Sequence, residues 1–166
     1  MRRVILIAHN IRSTHNIGSM LRTAEGLGVG KVYLTGYTPY PLSKHDDRLP
    51  HVGRKLDAQI HKTALGAEQM VPWEYSPDIG PVVRRLRETG YHIAALEQDP
   101  RSVKSTSFHA PDKLALIVGR EVKGIEKELL DQCDTIIEMP MTGRKESFNV
   151  AIATAIMLYQ LLSTNT

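Results

Sequence analysis

Leu114-Ala115-Leu116-Ile117-Val118 runs straight into Gly119-Arg120-Glu121-Val122-Lys123-Gly124. Five apolar residues in a row, with no polar residue between them, describe a strand that must be covered on both faces. Such strands belong to parallel sheets flanked by helices. Working outward, further β-type runs stand at Val4–Ala8, Lys31–Leu34, Met70–Trp73, Tyr91–Leu96 and Thr135–Met139. Helical patterns separate them at Asn16–Leu27, Arg54–Leu65, Pro81–Glu88 and Ile125–Leu130. In the first of these, Ile17, Met20, Leu21, Ala24 and Leu27 repeat at the spacing of one buried helix face, and Gly28 and Gly30 end it. The alternation predicts an α/β fold with an about six-stranded parallel sheet and helices on both faces. With 166 residues, no internal repeat and no linker, residues 1–166 are expected to form a single domain. The Pro-, Tyr- and His-rich stretch from Gly36 to Gly53 is long enough to be functional or mobile.

The last βα unit is unusual. The run Thr135–Met139 stops at Pro140 and opens into a loop holding Gly143, Arg144, Lys145, Ser147 and Asn149. A helix without a single charge follows, from Val150 to Leu162. A solvent-facing helix carries charge on one side, so this one is expected to be covered nearly all round. Ser147 and Asn149 then stand at the mouth of a buried element, where they are helix caps, site residues, or both.

The net charge of +3 permits a polyanionic partner without requiring one. Cations gather at Arg2-Arg3, at Arg84-Arg85-Arg87, at Arg144-Lys145 and between Lys44 and Lys62. Cys133 is the only cysteine, which excludes an internal disulfide and suits a reducing compartment. The apolar run after Met1-Arg2-Arg3 is too short for a signal peptide, and no stretch reaches the length of a membrane span. The expected address is the cytoplasm. No Cys/His cluster has metal-ligand spacing, so no metal is expected. His9, His15 and His109 read as surface residues.

In a parallel sheet, ligands bind outside the carboxyl ends of the strands. The segments that matter are therefore Asn10–Arg22, Leu96–Phe108, Gly119–Ile125 and Met139–Asn149. The turn Gly119–Gly124 fails as a dinucleotide fingerprint, because Glu121 stands where the central glycine must let a pyrophosphate approach. It leaves a cationic, nucleoside-bearing cofactor open. On the first helix, Gly18 and Arg22 lie one turn apart. A glycine there costs roughly 1 kcal/mol relative to alanine, and the pair reads as a notch beneath a guanidinium that suits a phosphate.

Three segments together carry a resemblance. Asn16-Ile17-Gly18-Ser19-Met20-Leu21-Arg22-Thr23-Ala24, Leu114–Gly124 and Pro140–Ala151, which reads PMTGRKESFNVA, resemble in order the three signature motifs of the SpoU (TrmH) family. These are S-adenosyl-L-methionine-dependent RNA ribose 2′-O-methyltransferases of the SPOUT class. The resemblance implies a C-terminal trefoil knot and a homodimer formed through the C-terminal helix. It implies donor contacts at Leu96, Gly119, Met139 and Phe148. Asn16, Arg22, Ser147, Asn149 and Glu121 would shape the reacting site, with Glu121 bonded to Arg22 or Asn149. Arg22 and the donor are expected from opposite subunits.

The implied reaction is methyl transfer to a ribose 2′-hydroxyl of tRNA or rRNA, with tRNA preferred because no appended RNA-binding domain is read in the chain. In this reading Arg22 binds the neighbouring phosphate and lowers the hydroxyl pKa. A guanidinium gives up a proton too reluctantly to be the base. The competing reading is a non-catalytic RNA-binding module that has lost turnover.

Overall fold

The computed structural model describes residues 2–163. Among them are seven strands, β1 (Arg3–His9), β2 (Lys31–Thr35), β3 (Trp73–Ser76), β4 (His92–Leu96), β5 (Val103–Lys104), β6 (Lys113–Val118) and β7 (Thr135–Glu138). They form one sheet in the order β3-β2-β1-β6-β4-β7-β5, with every neighbouring pair parallel. The helices are α1 (Thr14–Gly26), α2 (Pro50–Ala64), α3 (Ile79–Glu88), α4 (Lys127–Leu130) and α5 (Val150–Ser163).

The unbroken apolar runs are explained by two cores, one on each face of the sheet. Val4, Leu6 and Ala8 of β1 join a cluster with Ile17 and Leu21 of α1, Ile60 of α2 and Leu158 of α5. The intervening Ile5 and Ile7 join Val82, Val83 and Leu86 of α3 and Leu129 and Leu130 of α4. Alternate side chains of a strand point to opposite faces, so a strand between two helical layers has no face left for a polar residue. No helix among the described residues is long and apolar enough to cross a membrane.

The seventh strand is the two-residue β5, which pairs with β7 through Val103↔Ile137 and Lys104↔Glu138. It is too short to carry any periodicity. The expected strand at Met70–Trp73 is displaced to Trp73–Ser76. Ala67–Gln69 form a 3-10 turn, and Pro72 has no N–H to give to a ladder. The Pro72 carbonyl instead accepts from Val32 N at 2.9 Å, and the strand begins at the next residue. Helix α2 starts at Pro50, four residues ahead of expectation, because proline is pre-set for the first helical position.

Two other expectations are corrected. The notch at Gly18 is not open. A Cβ there would lie 2.1 Å from Thr63 Oγ1, 2.3 Å from the Ile60 carbonyl oxygen and 2.9 Å from Ala64 N. The glycine lets α1 and α2 approach at backbone distance, an arrangement tightened by Thr63 Oγ1 donating to the His15 carbonyl at 2.8 Å. Helix α5 is not covered all round within the chain: Ile152 (54%), Ile156 (43%) and Tyr159 (63%) are exposed. They recur at the i, i+4, i+7 spacing of one helix face.

The segment from Gly36 to Leu49 is pinned by one cation. The Arg48 guanidinium donates to the carbonyls of Tyr40 (2.9 Å) and Pro41 (3.0 Å) and to Asp46 Oδ1 (2.7 Å). It also lies 3.6 Å from the centroid of the Tyr40 ring, which stacks on Tyr75 at 4.0 Å. Hydrogen bonding to Arg48 holds the Asp46 carboxyl well below the usual range.

Candidate functional site

Strands β1, β6, β4 and β7 end side by side, and the loops that leave them are tied to one another. After β6, the turn closes through Gly124 N donating to the Arg120 carbonyl at 3.1 Å and Arg120 Nε donating to the Gly124 carbonyl at 3.2 Å. Gly124 has φ +64°, and a Cβ on it would lie 2.1 Å from Glu97 Oε2. That same oxygen accepts from Ile125 N at 3.0 Å. Glu97, one residue past β4, therefore braces the β6 turn. Its neighbour Gln98 reaches the third loop, donating from Nε2 to the Glu146 carbonyl at 2.6 Å. Sequence reasoning missed both residues. The available signal was an acid directly after an apolar strand end.

A second chain of hydrogen bonds joins the three motif segments at the crevice. Glu121 accepts from Arg12 N (3.3 Å), Ser13 N (3.2 Å) and the Asn16 side-chain amide (3.2 Å). Asn16 Oδ1 in turn accepts from Asn149 Nδ2 at 3.3 Å. Partial burial raises the Glu121 pKa, but the backbone N–H groups at Glu121, Ser13 and Arg12 and the Asn16 amide outweigh it. The net shift is downward, so the carboxylate stays ionised. Glu121 meets Asn16, and through it Asn149; it does not meet Arg22.

Asn149 also caps α5, its Oδ1 accepting from Ala151 N at 2.9 Å and Ile152 N at 3.3 Å. Ser147 stands two residues before the cap and does not share it. Ser13 caps α1 by accepting from Asn16 N at 3.1 Å, which fixes the start of the helix that presents Asn16.

These loops enclose a cavity of about 260 Å³. It is lined by Leu96, Gly119, Met139 and Phe148, together with Glu121 and Ser147. A Cβ on Gly119 would fall 2.4 Å from Ile125 Cγ1 and 3.0 Å from the Gly124 carbonyl carbon, so only glycine fits this floor. A wider cavity of about 920 Å³ adjoins it across the shared turn Arg120–Val122, and Asn16 and Glu121 line its wall. Arg22 lines neither cavity. It is exposed and has no side-chain hydrogen bond or ion pair among the described residues.

His9 is the one of the three histidines that is not on the surface. At 8% exposure it meets Thr35 Oγ1 through Nδ1 at 2.9 Å and lies 3.4 Å from Glu126 Oε2 through Nε2. Burial, the largest influence, outweighs the nearby Glu126 and lowers its pKa. Glu126 also takes Arg120 at 2.9 Å, which ties the shared turn to the end of β1. Among the described residues no three His, Cys, Asp or Glu side chains gather as a metal site requires.

Comparison with known proteins agrees with this fold. The 23S rRNA (guanosine-2′-O-)-methyltransferase RlmB of Nitrosomonas europaea is 30% identical over 158 residues, covering 95% of this chain and 55% of that protein. The fold matches the AdoMet-bound rRNA methyltransferase from Sinorhizobium meliloti with a TM-score of 0.83 at 22% identity, covering 99% of this chain and 57% of that one. It also matches a structure concerned with the 2-OH methylation of C/U34 on tRNA, with a TM-score of 0.77 at 20% identity, covering 96% of this chain and 93% of that one. The chain spans little more than half the length of the curated relatives it matches. Residues 3–159 match the model of one family across all three strand-end segments, and the chain belongs to the SpoU rRNA Methylase family.

Proposed function

We propose that this chain transfers a methyl group from S-adenosyl-L-methionine to a ribose 2′-hydroxyl of RNA. The observation that carries the reading is the 260 Å³ cavity. Leu96, Gly119, Met139 and Phe148, separated by up to fifty-two positions in sequence, share its wall with Glu121, from which hydrogen bonds run on to Asn16 and Asn149. These residues fit the donor. Leu96, Met139 and Phe148 offer apolar surface to an adenine, Gly119 keeps the floor at backbone level because the turn at Gly124 and Ile125 leaves no room for a Cβ, and the acidic Glu121 suits a cation where it would repel a diphosphate. When bound, the donor supplies a methyl group on positively charged sulfur.

The chain's residues supply alignment and charge. Glu121 holds the Asn16 amide by one end and Asn149 holds it by the other, so Asn16 can orient a ribose hydroxyl without losing its own position. Arg22 binds the adjacent phosphate and lowers the hydroxyl pKa. Its exposure, away from the chain's own cavity, supports supply from a second subunit. The bare apolar face of Ile152, Ile156 and Tyr159 supports a homodimer formed through α5. A threaded, trefoil-knotted C-terminal region is part of the same reading, with the loops after β4, β6 and β7 that would form it tied together by Glu97 and Gln98. The RNA is tRNA or rRNA, since relatives named for each match nearly the whole chain.

The test is transfer of a radiolabelled methyl group from the donor to RNA from cells lacking the protein, followed by mass-spectrometric mapping. Label in one 2′-O-methylated nucleoside of tRNA or rRNA is expected. Label on a base overturns the reaction. A chain that binds RNA but shows no donor-induced rise in Tm is a binding module instead.

A further inference from the structure

The wider cavity beside the donor site contains features that the transfer of a methyl group does not by itself require. One of its walls is Tyr37, whose side chain is 54% exposed at the end of β2. An exposed tyrosine is ordinary; the backbone that carries this one is not. Tyr37 N donates to Asn10 Oδ1 at 3.1 Å. Asn10 itself has φ +56° and the preceding Gly36 φ +70°. A Cβ on Gly36 would sit 1.9 Å from Asn10 Oδ1, so the two strand ends interlock only because one residue is glycine and the other is a short amide. Asparagine takes left-handed backbone more readily than other non-glycine residues, and Asn10 does so while its side chain holds the amide of Tyr37. This fixes the backbone from which the Tyr37 ring projects, a ring with no aromatic or hydrogen-bond partner among the described residues.

The charge around the ring points the same way. Arg12 and Lys123 line the cavity, are exposed and have no ion-pair partner among the described residues. Glu121, the acid on the wall, is already occupied by Arg12 N, Ser13 N and Asn16. The cavity thus combines an aromatic ring on an anchored backbone, two cations without an ion-pair partner among the described residues and, on its donor side, the Asn16 amide. A base stacks on an aromatic ring, phosphates pair with cations, and a ribose lies between them.

We propose that Tyr37 is a stacking platform for an unpaired RNA nucleotide, with Arg12 and Lys123 holding its flanking phosphates. The proposal rests on the methyl-transfer reading for the identity of the neighbouring cavity. It adds that the substrate is single-stranded at the reacting position, because a base held in a duplex cannot lie on a side chain in a cavity.

The experiment compares wild type with Tyr37→Ala, Tyr37→Phe, Arg12→Gln and Lys123→Gln. Anisotropy is read with a fluorescent single-stranded oligoribonucleotide and with the duplex of the same sequence. Donor-induced change in Tm is measured in parallel. Tyr37→Ala is expected to weaken single-strand binding about tenfold or more, while Tyr37→Phe stays within about threefold because the ring face is kept. Arg12→Gln and Lys123→Gln are expected to flatten the dependence of affinity on salt. The donor-induced shift should be the same in all five proteins. Equal RNA binding by Tyr37→Ala and wild type, or a wild-type preference for duplex, overturns the platform. A wild type that binds single strands through Tyr37 yet shows no donor-induced shift supports the platform and overturns the methyl-transfer reading.

Discussion

Two glycines, Gly18 on α1 and Gly119 at the end of β6, invite the same argument from sequence and have different neighbours. Each stands where another residue would be expected, and each suggests a close approach by something else. At Gly18 the approaching partner is the backbone of α2, at 2.3 Å and 2.9 Å from where a Cβ would be. At Gly119 it is the protein's own turn on one side and the cavity on the other. Glycine marks proximity; the neighbouring surface decides whether that proximity is packing or a site.

Substitution sharpens the contrast. Gly18→Val forces a branched side chain into rigid backbone and is expected to cost about 1–3 kcal/mol. That lowers Tm by roughly 3–10 °C in a chain of this size, with donor affinity unchanged by calorimetry. An unaltered Tm would mean that α1 and α2 are not in contact as described. Gly119→Ala is expected to reverse the pattern, with a smaller change in the unliganded Tm and a donor affinity lowered about tenfold. Retention of full donor affinity would remove Gly119 from the cavity floor.

A milder comparison separates the two residues that looked like caps. Asn149→Ala is expected to destabilise by about 1 kcal/mol, read as a fall of about 2–4 °C in Tm. Ser147→Ala should leave the unliganded Tm within about 1 °C, because Ser147 does not bond the start of α5. Equal losses would return Ser147 to the cap.

The smallest effect lies at the far end of α2. His61 Nδ1 meets Glu68 Oε1 at 2.5 Å. That hydrogen bond raises the His61 pKa above 6.5. Burial raises the Glu68 pKa, but the hydrogen bond to His61 and other donors outweigh it, leaving the group below 4.5. The histidine contributes stability that is fully present below pH 6.5 and fades as pH rises through its folded pKa. The glutamate contributes above pH 4.5 and fades as pH falls through its own. His61→Ala should therefore lower Tm by about 1–2 °C between about pH 4.5 and 6.5, and by less at pH 9. An equal loss at pH 9 would show that packing, not charge, is what the pair provides.

Much of this architecture was legible because it rests on local rules. The unbroken run Leu114–Val118 required two covering layers, and the spacing Ile17, Met20, Leu21, Ala24 gave the buried face of α1. The three motif segments were located at strand ends, where α/β folds place ligands. The misses are non-local or sub-threshold. Two residues of β5 carry no period, and Pro72 shifted β3 by the one N–H it lacks. The partner of Gly18 lies more than forty positions away. Glu97 matters because of a glycine twenty-seven residues later, and the Glu121–Asn16–Asn149 chain joins residues 105 and 133 positions apart. No window of sequence contains such a relation.

The turn Arg120–Val122 is a party wall, one face toward each cavity. A ligand that stiffens this turn from one side would alter binding on the other, and by linkage the coupling is equal in both directions. On the proposed reading, occupancy of the smaller chamber would sharpen the larger one for a nucleotide.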